Sequence, residues 1–449
     1  MIEALRNAFK LPDLRRRMFY TLLILIIFRM ASNIPVPGVD RVALAQFFEM
    51  ATTQAEGTQS FINILDLLSG GAVSNFSVLA TGVYPYVTAQ IVLQLLLPIF
   101  PKWEERIKEE GEEGQRKMNQ ITFYCTVPLA ALQAYGQAQL FRAAMVGVRP
   151  ILPSFGWGPG QALPTLTLLI TMTAGTMFAV WLGELITEQG IGNGLSLIIF
   201  GGIVAQLPAN LLAIWRGTGL VPNVVLSIVR VSIFVVLMIA TMLFIVFLQE
   251  GERRIKVQYG KRVRGMKVYG GGSTYIPLKI NTAGMIPLIF AQSILAFPAV
   301  IAQFFMTSES AATRDSANWV IAFFSGQDPW YAVLYFLAVV GFTYFYTFIM
   351  IEQQNLPEML QKQGGFIPGV RPGRKTEEFI LHIYQRITFV GALFLGIVAV
   401  LPFFVGLFME TQLMLIQSAG LLIVVGTVTD TIQQLEAQLL MRNYEGFLR

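Results

Sequence analysis

Residues 220–248 read LVPNVVLSIVRVSIFVVLMIATMLFIVFL, 29 positions with one charge, Arg230. A bilayer core about 30 Å thick is crossed by about 20 mostly apolar residues of helix, so this stretch is long enough to span and too apolar to coat a soluble surface. Nine runs of the same kind flank it: roughly 18–36 (with Arg29), 76–100, 121–141, 162–183, 191–215, 280–306, 329–351, 387–409, and 411 to about 435, which ends among Asp430 and Glu436. Composition agrees. Of 449 residues, 54% are hydrophobic and 13% charged, against roughly 25% charged in an average soluble domain, and mean hydropathy is +0.60. A soluble enzyme is excluded. The first run is too long for a cleavable signal, lacks a small-residue cleavage site and is followed by Pro35, Pro37 and Gly38.

Orientation follows from where the 32 Lys and Arg residues lie. With the N-terminus inside, Arg6, Lys10, Arg15, Arg16 and Arg17 are cytoplasmic, and the outside loops carry only Arg41, Arg142, Arg149, Arg216 and Arg314. Basic residues concentrate on the cytoplasmic side, so both termini are expected there. Ten spans divide into five and five at a linker containing Gly217, Gly219 and Pro222. The expected architecture is an all-α polytopic membrane protein with an N-terminal half, 1–219, and a C-terminal half, 220–449, the latter carrying cytoplasmic loops at about 249–279 and 353–386. Because five is odd, the second half enters from the opposite side. If the halves share a fold they form an inverted-topology repeat, typical of proteins with a pathway between repeats.

The chain breaks its own pattern between the first two spans. Residues 61–74, FINILDLLSGGAVS, are apolar but too short to span, and they contain Asp66, Gly70 and Gly71. Irregular backbone at membrane depth survives only inside protein or beside a water-filled cavity, so the segment reads as a re-entrant half-helix; an amphipathic helix on the outer surface is the alternative. In the second span Val83 and Val87 are four apart and share a helix face, Tyr86, Gln90 and Gln94 form a neighbouring stripe, and Pro85 is expected to loosen the helix. A stripe of amides is costly in lipid and faces either a wet path or another helix.

Two inside loops are unusually basic. Residues 251–275 hold Arg253, Arg254, Lys256, Lys261, Arg262, Arg264 and Lys267 against Glu252, with Ile255, Val257 and Tyr259 alternating before Gly260 and Val263, Val268 and Tyr269 after it, the pattern of a β-hairpin. In residues 364–375, GGFIPGVRPGRK, prolines and glycines frame Arg371 and precede Arg374. Such loops set topology, and their length and stiffness also suit docking of an acidic partner, ribosomal RNA included. With Cys125 the one cysteine and His382 the one histidine, neither an internal disulfide nor a His/Cys metal set is available. Glu184 and Glu188 sit at a span end, where capping suits them better than proton relay, and no span centre holds the acidic or histidine set of a coupled pump. No GxxxxGK[ST] phosphate loop occurs, so energy must come from outside the chain.

Five separated stretches resemble the SecY family of protein-conducting channels: residues 28–38 (FRMASNIPVPG), 82–88 (GVYPYVT), 181–195 (WLGELITEQGIGNGL), 275–287 (YIPLKINTAGMIP) and 366–373 (FIPGVRPG). The similarity covers almost the whole chain and is most like a bacterial member. It implies an hourglass pore in the bacterial inner membrane, passing unfolded polypeptides across and releasing hydrophobic segments sideways into the phospholipid bilayer. Matched motif to motif, the constriction falls on Val83, Val87, Leu195, Ile199, Ile286, Ile289 and Ile423. The plug falls on 61–74, with Phe61, Ile64, Leu65, Leu68, Gly70 and Gly71, and a lateral gate lies between spans two and three and spans seven and eight, near Thr88 and Phe297. Docking falls on Arg253, Arg254, Lys261, Arg262, Arg371 and Arg374. The implied partners are the SecA motor ATPase, the small membrane subunits SecE and SecG, the ribosome, and signal peptides with their unfolded substrates. No cofactor or metal is implied. Where the family often has isoleucine this chain has Val83 and Val87, which makes a looser ring that leans more on its plug. A secondary transporter with inverted repeats would share the span count but needs a charged or coordinating midplane site. An intramembrane serine enzyme would need a base beside Ser196 in Gly194-Leu195-Ser196, and no span contains a histidine.

Overall fold

The computed structural model describes residues 9–51, 69, 71–97, 100, 103, 110–143, 145–146, 149–216, 224–259, 262–264, 267–269, 272–284, 286–306, 310–324, 328–354, 356–371, 373–409 and 413–447. Among them the helices are α1 (Pro12–Ala31), α2 (Arg41–Ala51), α3 (Tyr84–Leu96), α4 (Glu112–Ala143), α5 (Ala162–Gln189), α6 (Gly194–Arg216), α7 (Val224–Gln249), α8 (Ile286–Gln303), α9 (Ala311–Phe323), α10 (Pro329–Gln354), α11 (Leu356–Gln363), α12 (Arg374–Met409) and α13 (Leu413–Phe447). The strands are β1 (Met145–Val146), β2 (Arg149–Pro150), β3 (Glu252–Tyr259), β4 (Arg262–Arg264), β5 (Lys267–Tyr269), β6 (Ser273–Lys279) and β7 (Gly365–Phe366). Each apolar run coincides with one helix: α1, α3 to α8, α10, α12 and α13. Four are long and apolar enough to cross a membrane over described residues: α5, α8, Pro329–Ile351 of α10 and Arg374–Leu401 of α12. The chain is a polytopic helical membrane protein. The linker residues Gly217, Gly219 and Pro222 lie outside the described residues.

Two runs are helical over only part of their length. Within 76–100 the helix starts at Tyr84, and α3 is 13 residues long, about 20 Å at 1.5 Å per residue, short of the bilayer core. Residues 73–83 are turns apart from Ser77, which forms a β-bridge with Pro35, and Ala72, Val73, Phe76, Leu79 and Ala80 are at most 1% exposed, so this irregular backbone is wrapped in protein as its polar groups require. Pro85 therefore does not loosen a continuing helix. It occupies the first turn, where a missing N–H leaves no bond unmade. Likewise α8 begins at Ile286 with Pro287 second, after a turn in which Asn281 Nδ2 donates to the Gly284 carbonyl at 2.9 Å.

The second basic loop is also more ordered than its glycines suggest. About three and a half turns of α12 precede the ninth apolar run, and α11 fills 356–363, leaving 364–373 as the true loop. The first basic loop is a hairpin, but Val263, Val268 and Tyr269 are not its second strand: they belong to a separate ladder in which Val263 pairs with Val268. β3 pairs antiparallel with β6 from Glu252↔Lys279 to Gln258↔Ser273, and the small β4–β5 ladder stands beyond it. β7 then adds to the free edge of β3 through Gln258↔Phe366 and Tyr259↔Gly365, giving the order β6-β3-β7. Ile255, Val257, Leu278, Leu360, Ile367 and Ile380 pack beneath this sheet, so both basic loops share one small core.

Candidate functional site

The site is built where helix starts meet. α3 and α8 begin alike: Gly82 (φ +57°) and Gly284 (φ +66°) turn the chain, and a proline follows three residues later. Both φ values lie in the left-handed region that glycine tolerates best. Val83 caps α3 and accepts the Val87 amide at 3.2 Å, holding the two valines one turn apart. α6 is set by a tight turn after α5. The Gly194 amide donates to Thr187 Oγ1 at 2.9 Å and the Ser196 amide to Asn193 Oδ1 at 3.2 Å, an N-cap. A Cβ on Gly194 would run into the Gly183 carbonyl, so the α5–α6 crossing needs glycine there. That crossing aims Leu195 and Ile199 inward.

Val83, Val87, Ile199, Ile289 and Ile423 are buried members of one hydrophobic cluster, and Leu195 and Ile286 pack against it. All seven residues assigned to the constriction are thus brought together, from α3, α6, α8 and α13. Val83 and Ile423 are 1% exposed and Val87 is 8%. Branched apolar side chains offer nothing to replace an ion's hydration shell, so such a cluster resists ions by staying dry.

Of the plug residues, Phe61, Ile64, Leu65, Leu68 and Gly70 lie outside the described residues. Gly71 is described, at φ +84°, where a Cβ would sit 2.8 Å from Gln206 Nε2 of α6 and 3.2 Å from Arg29 Nη1 of α1. Ser69 Oγ accepts the amides of Ala72 and Val73 at 3.3 and 3.2 Å, closing a buried turn. This end of the segment is therefore inside the helix assembly, beside the one arginine of the first apolar run.

The seam between α3 and α4 on one side and α8 on the other is bridged by a residue the sequence did not mark. The Tyr84 hydroxyl donates to the Ser293 carbonyl at 2.7 Å. Farther along, a Cβ on Gly136 would stand 2.9 Å from Gln303 Oε1, so α4 and α8 nearly touch. Gln303 is fully buried with neither carboxamide atom bonded in the protein, and Gln133 Nε2 and Gln137 Oε1 share that condition. Thr88 is buried and spends its hydroxyl on the Tyr84 carbonyl of its own helix at 2.9 Å. Phe297 is exposed on α8, as is Ile301 one turn on. A tyrosine beside Pro85 was the available signal for the bridge.

Arg253 and Arg254 are exposed on β3, where Arg254 Nη2 pairs with Glu252 Oε1 at 2.6 Å. Arg262 lies opposite Tyr269 in the β4–β5 ladder, and Lys261 is outside the described residues. Arg371 is exposed, and its carbonyl accepts Thr376 Oγ1 at 2.9 Å, tying the loop to the first turn of α12. Gly369 (φ +86°) and Gly373 (φ +98°) flank it with conformations that side chains resist. Arg374 is exposed and lies 3.8 Å from Glu378 Oε1. The third strand is what sequence reasoning missed: it joins Arg371's loop to the sheet bearing Arg253 and Arg254.

Long apolar helices gathered around a buried cluster rich in branched side chains define the class: a polytopic helical membrane protein. Comparison with known proteins gives the family. The SecY family model matches residues 77–432. The protein translocase subunit SecY of Halalkalibacterium halodurans is 42% identical over 453 residues, covering 100% of both chains. Among solved structures, a protein conducting channel superimposes with TM-score 0.60 at 16% identity, covering 94% of this chain and 91% of its own. Sec61 in the canine ribosome-channel complex does so with TM-score 0.56 at 16% identity, covering 94% and 91%. At those identities the structural likeness speaks for the fold alone. The chain belongs to the SecY family.

Proposed function

We infer that this chain is the pore-forming subunit of a protein-conducting channel of the bacterial inner membrane, and not an enzyme. The observation that carries this reading is the single buried cluster holding Val83, Val87, Leu195, Ile199, Ile286, Ile289 and Ile423. Membership of a family whose relatives are named protein translocase subunits supports it. The ring is the closed constriction: apolar enough to exclude ions at rest, and soft enough to fit around a passing chain whatever its sequence. Residues 61–74 are its plug, seated at Gly71 between Arg29 and Gln206.

Ten spans in two inverted halves, 1–219 and 220–449, with both termini cytoplasmic, make up the body. The matched starts of α3 and α8, Gly82 to Pro85 and Gly284 to Pro287, support the repeat, because spans two and seven are its equivalent members. The α3/α4–α8/α10 seam is the lateral gate, with Thr88 buried in it and Phe297 at its lipid-facing edge. The joined sheet and Arg371 loop are the docking surface for a motor ATPase or the ribosome, with Arg253, Arg254, Lys261, Arg262, Arg371 and Arg374 as its cations. The ribosome-bound likeness among the structures supports the second partner. SecE and SecG are the small membrane partners of this reading. The secondary-transporter alternative needs a charged or coordinating midplane site, and none of the seven residues assigned to the ring is ionisable. The test is reconstitution in liposomes: a secretory precursor should become protease-protected only when motor and ATP are both present. Uptake of small solutes coupled to an ion gradient, with no precursor protected, would overturn the reading.

A further inference from the structure

One helix has no place among the ten apolar runs. α9 (Ala311–Phe323) lies between α8 and α10, both long and apolar enough to cross a membrane. Only seven residues separate α9 from α8 and five separate it from α10, so it is held close to the level where those helices leave the bilayer. Its sequence, AATRDSANWVIAF, divides around the helix into three sectors. Ala317 and Ile321 are buried, and Val320 and Phe324 are packed, in the cluster that also holds Ala299 and Val300 of α8. Trp319 sits midway between Ala317 and Ile321 in sequence, which puts it on the opposite side of the helix at about 100° per residue. It is 66% exposed and stacks on Phe323, one turn on, with ring centroids 5.5 Å apart. Arg314 and Asn318 occupy one remaining flank and are exposed, and Asp315, also exposed, stands one turn before Trp319 on the same stripe.

We propose that α9 is an interfacial helix whose Trp319–Phe323 stack rests in the lipid headgroup region, bracing the outer end of α8 against the bilayer. Two observations commit the occupant to lipid. The neighbours on either side also expose apolar side chains: Phe297 and Ile301 on α8, Phe305 just after it, and Trp330, Val333, Leu334 and Leu337 on α10. The three sectors also match the three surroundings of a helix lying beside a protein in a membrane surface, with protein, water and lipid each meeting suitable side chains. An aromatic ring with an apolar body and a polar N–H fits the headgroup level, where tryptophan is enriched. Assignment to the outer leaflet rests on the topology proposed above; lipid contact does not.

The experiment uses the full-length channel in liposomes, with Cys125 replaced by serine and a polarity-sensitive fluorophore on Trp319→Cys or, as the water-facing comparison, Asn318→Cys. Nitroxide lipids labelled near the headgroup should quench the label at 319 at least about threefold more than that at 318, with aqueous iodide showing the reverse order. Equal iodide quenching at both sites would mean that the face stands in water. Quenching by neither agent at 319 would mean that protein covers it. Either result overturns the proposal. Where labelled variants do not reconstitute, brominated lipid applied to the unlabelled parent and to Trp319→Phe decides instead: the parent should lose more tryptophan emission, and equal loss refutes the lipid contact. Iodide sealed inside or outside the vesicles reports the leaflet, so a wrong topology and a wrong lipid contact give different results.

Discussion

Replacing Tyr84 with phenylalanine removes one atom from the gate seam and little else. The hydroxyl donates to the Ser293 carbonyl at 2.7 Å, while the ring remains packed in the Phe76 cluster, so folding and insertion should be unaffected. Hydrogen bonds between membrane helices average about 0.6 kcal/mol and reach about 1.7 kcal/mol. If the bond exists only while the seam is shut, its loss raises the open population by about threefold to about 16-fold, at about 1.4 kcal/mol per tenfold. The assay is import of a precursor with a weakened signal segment into liposomes, where opening limits the rate; import should rise by that factor, and a precursor with a strong signal should gain less. Ser293→Ala is the control. The acceptor is its backbone carbonyl, and its own hydroxyl is buried without a partner, so the alanine variant should resemble the parent. Unchanged import of the weak precursor by Tyr84→Phe, or an equal gain in Ser293→Ala, would refute the bond as a gate tie.

Ile289→Ser with Ile423→Ser should wet the junction and raise resting conductance in planar bilayers without loss of folded protein; unchanged conductance would remove these residues from the ring. Deleting residues 61–74 should leave an inserted, import-competent channel that opens spontaneously, and failure to insert would make the segment structural. Arg371→Glu should keep normal abundance yet cut motor-driven import at least about tenfold, about 1.4 kcal/mol, with Arg371→Lys recovering only part because it lacks the guanidinium fork; near-normal import would sink the docking role. Gly194→Ala should lower thermal stability by about 1–3 kcal/mol through overpacking against Gly183, measured as aggregation temperature in detergent, and a neutral result would mean that the α5–α6 crossing is looser than it looks.

Membrane class was legible because about 20 apolar residues in a row have few other uses, and each such run carries a helix. What stayed hidden is where the helix stops inside a run. Residues 76–83 are largely apolar, and positive φ at Phe76 and Gly82 with a first-turn proline separates turn from helix; of these only the glycine and the proline are visible as letters. The hairpin was readable from the alternation of Ile255, Val257 and Tyr259, but its register depended on which downstream strand was selected, a choice made by packing on Leu360, Ile367 and Ile380. Two residues, Gly365 and Phe366, carry no strand signal at all. The junction could be named only by resemblance, since a valine facing a pore and a valine facing lipid are the same letter. Thr88 illustrates the limit of the resemblance: it placed this threonine near the seam, and the hydroxyl is consumed by its own helix.

The three-stranded sheet has the layout of a clutch. β3 emerges two residues after α7 ends and β6 ends six residues before α8 begins, with seven paired positions locking the two strands together. β7 holds β3 by two pairs only, with Ile367 pressed into the apolar layer below as the facing plate. A tug on Arg371 would therefore peel β7 away before β3 and β6 could slip. While the plate grips, movement of that loop carries the hairpin and, through Lys279, the base of α8; once it slides, the loop swings alone and the helices stay where they were.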